Sequence, residues 1–82
     1  MKPLPGVYRG VVLQAHDPER RGRLQIEIRA VSGDAATWAP VVAEGRRALT
    51  AEPGDEVVVA FEAGDPAQPI VIGTLWAKGE AP

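Results

Sequence analysis

Two apolar runs joined by a cluster of turn formers, Gly54 to Trp76 (GDEVVVAFEAGDPAQPIVIGTLW), constrain this chain more than any other stretch. Glu56–Glu62 and Ile70–Trp76 are rich in β-branched and aromatic residues, and the intervening Ala63-Gly64-Asp65-Pro66-Ala67-Gln68-Pro69 concentrates residues that bend the backbone. Gly64 accepts positive φ, Asp65 can accept a hydrogen bond from the backbone two residues on, and Pro66 and Pro69 fix φ and donate nothing to a ladder. The segment reads as a β-hairpin with a rigid loop. Both of its strands are apolar on two faces: Val57, Val59 and Phe61 are backed by Val58 and Ala60, and Ile70, Ile72 and Trp76 alternate with Val71 and Leu75. A small barrel needs only its interior apolar. The surplus predicts a second buried surface, which self-association would provide.

Three more strands precede the hairpin. After an extended arm, residues 1–5, with two prolines, Gly6 to Ala15 reads as a first strand with Val7, Val11, Leu13 and Ala15 on one face and Arg9 as the exception. Gly10 inside it predicts a bulge or sharp bend. His16 to Gly22 is a polar turn. Arg23 to Arg29 alternates strictly, with Leu24, Ile26 and Ile28 inward and Arg23, Gln25, Glu27 and Arg29 toward water. Ser32-Gly33-Asp34 breaks it. Thr37 to Ala43 is a third strand in which Pro40 removes a donor and predicts an edge or a kink. Glu44 to Pro53 has room for one helical turn, and Glu52-Pro53-Gly54-Asp55 fits a type II turn. Five short strands with frequent turn signals make an all-β domain, a small closed barrel or compact sandwich, over residues 6–77, followed by a polar tail, 78–82.

With 82 residues there is one domain, and a chain of that size buries only about 60–65% of its unfolded surface. The absence of cysteine removes disulfides, thiolate metal sites and thiol nucleophiles. A net charge of −2 argues against a dedicated nucleic-acid binder. No apolar run marks a signal peptide or a membrane span, so the expectation is a soluble chain made in the cytoplasm.

Candidate chemistry is sparse. His16 beside Asp17 has the types for acid–base work but lies in a turn without a serine or cysteine partner nearby. Glu52, Asp55, Glu56 and Asp65 are oxygen ligands without the spacing of a calcium loop, and turn chemistry already explains Asp55 and Asp65. Arg20-Arg21-Arg23 and Arg46-Arg47, with Tyr8, Trp38 and Trp76, have the types of a single-strand nucleic-acid face. The plainer reading makes the arginines solvated turns or partners of acidic groups on a neighbouring subunit, and the tryptophans core or interface anchors. No catalytic, cofactor or metal residue is expected.

In order, Gly6, Val11-Val12, Asp17-Pro18, Gly22-Arg23, Trp38-Ala39, Gly54-Asp55-Glu56-Val57 with Val59 and Phe61, and finally Gly64-Asp65-Pro66, Pro69, Val71, Gly73, Leu75 and Trp76 resemble the OB-fold domain of phage baseplate spike proteins and of the VgrG proteins of type VI secretion. The resemblance covers about residues 6 to 77, and its closing motif is the most specific part. Pro53 is displaced to stand directly before Gly54, and the connection from third to fourth strand lacks the glycine-rich insert common in that family. The chain ends at Pro82, where such proteins usually continue into a triple-stranded β-helix needle.

The resemblance implies a five-stranded Greek-key OB-fold barrel that acts as a non-enzymatic hub of a contractile injection system: a phage tail, an extracellular injection particle or a type VI machine. It implies a homotrimeric collar between a tail-tube or hub protein and a needle or tip protein. The two-faced strands nominate Val58, Ala60, Ile70, Ile72 and Trp76 as its interface, and the resemblance marks Asp17, Pro18, Gly54, Asp55, Gly64, Asp65, Pro66, Pro69 and Gly73 as the family's turn residues. The alternatives are a small OB-fold module for single-stranded nucleic acid and an oligomeric scaffold unrelated to injection.

Overall fold

The computed structural model describes residues 2–81. Among them are seven strands: β1 (Val7–Gln14), β2 (Leu24–Glu27), β3 (Ala36–Ala39), β4 (Ala43–Glu44), β5 (Arg47–Ala48), β6 (Glu56–Phe61) and β7 (Pro69–Thr74), with one helical turn, α1 (Arg29–Ser32), and a 3-10 turn at Glu62–Gly64. Five of the strands form one antiparallel sheet in the order β3-β2-β1-β6-β7. The sheet curls until a single parallel bridge, Val41 to Val71, joins its two ends. That is the small OB-type barrel, partly open at the seam.

The interior is filled by Val12, Leu24, Ile26, Ile28, Ala39, Val57, Val59, Phe61 and Val71. The strict alternation of β2 and β6 is realised: Leu24, Ile26 and Ile28 point inward, as do Val57, Val59 and Phe61. Each such side chain contributes about 1.5–3 kcal/mol on burial. At one end Tyr8 meets Phe61 edge-on, with ring centroids 5.4 Å apart. The N-terminal arm packs here too, Leu4 N–H donating to Gly64 O at 2.9 Å while its side chain rests on the core.

β1 presents the opposite face from the one its sequence favours. Gly10 and Val12 are buried and Tyr8 half-buried, while Val7 is 61% exposed and Leu13 39%. The reason is close approach at Gly10. A Cβ there would stand 3.1 Å from Glu27 O and 3.3 Å from a methyl of Val57, so glycine lets β1 lie tight across β2 and β6 where a side chain would have to push its neighbours back. Arg9 is then no exception, since it lies on the outward face. The bulge occurs not at Gly10 but at Leu13, which is skipped between the pairs Val12–Ile26 and Gln14–Gln25.

Other expectations are corrected at the ends of elements. The backbone leaves β2 at Glu27, and Arg29 opens α1 rather than closing a strand. β3 stops at Ala39, before Pro40, and it is an edge strand. Glu44 to Pro53 begins not with a helical turn but with the tiny hairpin β4–β5, in which Ala43 pairs with Ala48 around Gly45. β7 starts at Pro69 and ends at Thr74, which leaves Leu75 and Trp76 outside the strand.

Candidate functional site

The outer face of β1, β6 and β7 carries an apolar patch that the protomer does not cover. The ladders place Val7 beside Ala60 and Ala60 beside Ile70, with Arg9, Val58 and Gly73 forming the adjacent row. Val58, Ala60 and Ile70 are half-buried. Ile72 is the extra residue of a bulge between the pairs Val58–Gly73 and Val59–Val71, and it is 42% exposed. A bulge re-aims the side chain it carries, and here it presents an isoleucine to solvent. Gly73 has open space where a Cβ would stand, which keeps the surface beside Val58 low. Arg9 bounds the patch and reaches Glu56 at 3.5 Å, both side chains being largely solvated.

Four of the five nominated interface residues, Val58, Ala60, Ile70 and Ile72, therefore share one face. Trp76 does not join them. It lies past the end of β7, 69% exposed, beside a small cleft with Gly54, Asp55, Glu56 and Glu80. Sequence reasoning missed Val7, because it assigned that face of β1 to the core. The required inward glycine at position 10 was the signal that reverses the assignment.

The turn residues cap the barrel by chemistry that repeats. In Asp17-Pro18-Glu19-Arg20, Arg20 N–H donates to Asp17 O at 3.0 Å and Glu19 N–H to Asp17 Oδ1 at 2.8 Å. In Asp65-Pro66-Ala67-Gln68, Gln68 N–H donates to Asp65 O and Ala67 N–H to Asp65 Oδ1, both at 2.9 Å. Both are turns with aspartate first and proline second, and the aspartate side chain braces the backbone. Glu52-Pro53-Gly54-Asp55 closes with Asp55 N–H donating to Glu52 O at 3.0 Å and Gly54 at φ 94°, and Asp55 Oδ2 accepts from Glu52 N–H. Gly64, also at positive φ, ends the 3-10 turn, and Pro69 opens β7 in a buried position.

Asp17 does more than turn the chain. It is buried, and besides Glu19 N–H it accepts Arg21 N–H and Arg23 N–H through Oδ2 at 3.2 Å each. Arg23 adds a forked pair, Nε to Oδ2 at 2.8 Å and Nη2 to Oδ1 at 3.2 Å. The Arg23 side-chain hydrogen bond, followed by the backbone donors, outweighs burial and holds the Asp17 carboxyl well below the usual carboxylate range. Arg23 also reaches Glu19 at 3.4 Å and sits 5.4 Å over the Trp38 ring. It is neither turned to water nor reserved for a neighbouring subunit, since an aspartate six residues back in its own chain takes it up.

This arrangement also bears on nucleic acid. Arg21, Arg23 and Trp38 do converge on one cleft, together with Gln68 and Pro69. Yet the Arg23 fork is spent on Asp17, Tyr8 packs against Phe61, and Trp76 lines a different cleft. The aromatics that a stacking platform needs are not brought to one face.

The carboxylates Asp55 and Asp65 are committed to turns, and among the described residues no three metal-ligating side chains converge. No helix among them is long and apolar enough to cross a membrane.

A five-stranded barrel of this strand order, braced by aspartate turns and apolar on an outer face, has the OB-type architecture. The family model of the type VI secretion system/phage-baseplate injector OB domain matches residues 8–76, and the chain belongs to that family. Among curated proteins no sequence matches it. The family is structural, so the role is a structural one in the baseplate region of an injection machine, in assembly with its other proteins.

Proposed function

We propose that this chain forms a trimeric collar around the axis of a contractile injection system, seated between the tail tube and a needle or tip protein. The observation that carries the proposal is the outward patch of Val7, Val58, Ala60, Ile70 and Ile72, contiguous across three strands. Exposed aliphatic surface of this continuity is characteristic of interaction sites rather than of a solvated barrel wall. Placed in an interface, the five side chains would link rigid barrels side by side and carry axial load from tube to tip without any moving part. Trp76, on its separate cleft, suits contact with the adjoining tube or tip protein. No catalytic step belongs to this mechanism. The arm 1–5, barrel 6–77 and tail 78–82 divide the labour, the barrel supplying the wall and its two ends the axial contacts.

The test is the solution mass by light scattering across a concentration series, for the wild type and for Ile72→Asp. The expected result is a trimer for the wild type and a folded monomer for the variant. A wild type that stays monomeric at every concentration removes the patch as a sufficient interface. An unfolded Ile72→Asp would mean that the bulged side chain supports the barrel itself.

A further inference from the structure

The seam between β3 and β7 is held by one parallel rung, in which Val71 N–H donates to Pro40 O at 2.9 Å and Val42 N–H to Val71 O at 3.0 Å. A parallel ladder repeats this pattern two residues on. The next rung would need the nitrogen of residue 69 to donate to Trp38 O and that of residue 40 to donate to the carbonyl of residue 69. Both residues are proline and have no N–H to give. The seam parts at that point, and two hollows open along it. One, about 310 Å³, is mostly apolar, lined by Ile28, Val31, Phe61 and Pro66 with Ser32 and Thr37 at its polar side; the other, about 240 Å³, is lined by Trp38 and Gln68, with Arg21 and Arg23 as its charged groups.

The strand beside the gap is an unpaired edge, faced across the hollows by Pro66 and Pro69. Pro40 O points into the seam, so alternation turns the N–H and C=O of Trp38 and Ala36 the same way, away from β2. Exposed edges are ordinarily blunted by charge, proline or a covering element. Ala36-Thr37-Trp38-Ala39 carries no charge and no proline.

We propose that this edge is a docking site for an extended segment of a partner protein. The segment adds to β3 as a further strand, seats an apolar side chain in the hollow above Phe61 and places an acidic side chain against Arg21. Strand addition takes its affinity from main-chain hydrogen bonds and its specificity from pockets for alternate side chains, and the seam supplies both. The charge is complementary, because both charged groups lining the second hollow are cationic and Arg21, 64% exposed and 3.8 Å from Glu19, is the more accessible. A nucleic-acid strand has no amide ladder to offer the edge. The site lies at the β3–β7 seam, apart from the outward patch, and does not depend on the trimer.

The experiment titrates the full chain with an acetylated heptapeptide alternating valine and glutamate, and with the same peptide N-methylated at alternate amides. The backbone amides of Ala36 and Trp38 are followed by NMR shift and hydrogen exchange, and oligodeoxythymidylate serves as a competing probe. The unmethylated peptide is expected to shift and protect these amides and the methylated one is not. Arg21→Glu should weaken the effect severalfold. Pro69→Val, which restores a donor to the seam, should weaken it about tenfold or more, and Pro40→Val supplies the other donor if that variant fails to fold. The proposal falls if methylated and unmethylated peptides act alike, if the proline variants bind as the wild type does, if millimolar peptide leaves both amides unmoved, or if only the oligonucleotide moves them.

Discussion

Asp17 is the residue on which the β1–β2 connection depends, and its effect is readable as a pH dependence. Folding lowers its pKa, so between the folded and unfolded values the unfolded chain binds the extra proton. The contribution of Asp17 is therefore complete above pH about 4, the ordinary carboxylate value, and drains away as pH falls below it. Asp17→Asn should lower the urea midpoint at pH 7, and its difference from the wild type should narrow steadily from pH 4 to pH 2. A difference that stays constant over that range would show that the carboxylate charge is not what matters. Gly10 acts by size alone. Gly10→Ala pushes a methyl against Glu27 O and two packed valines, and a loss of about 1–3 kcal/mol is expected in chemical denaturation. Residue type predicted neither role in full: the Asp-Pro pair announced a turn, but the forked arginine six residues later required the fold to bring it back.

Among elements, the turn before β6 does the most to set register. Gly54 N–H donates to Val12 O and Val12 N–H to Asp55 O, so the turn is stitched to β1 as well as closed on itself. With φ at 94°, Gly54→Ala should cost about 1–3 kcal/mol through backbone strain, although no atom lies in the way of the added methyl. The check is thermal unfolding, with Gly45→Ala at φ 62° in the β4–β5 turn as a comparison that leaves the main sheet untouched. The two bulges, at Leu13 and Ile72, are a different kind of device. Each skips one residue so that the strand keeps its inward face while turning the barrel wall, and each leaves a large aliphatic side chain outside. Periodicity in sequence could not foresee them, because a single inserted residue reverses the alternation on which that reading depends.

For the whole molecule, the proposed interface at the outward patch can be tested apart from stability. Val7→Glu with Ile70→Glu should leave the barrel folded, with a small change in melting temperature at low concentration, and should abolish any concentration-dependent rise in mass or melting temperature. Equal loss of stability at every concentration would instead place these side chains in the packing of the protomer. The all-β class, the closing hairpin, the aspartate–proline turns and the inward faces of β2 and β6 were legible in the sequence, because each is a local matter of alternation, turn chemistry and missing N–H groups. The inward face of β1, the Asp17–Arg23 fork, the position of Trp76 outside β7 and the parting of the seam at Pro40 and Pro69 were decided only by tertiary structure. The inward face of β1 and the parting of the seam turn on partners from other strands, which only sheet pairing and closure of the barrel bring within reach; the fork turns on how the β1–β2 connection folds back, and the place of Trp76 on where β7 ends.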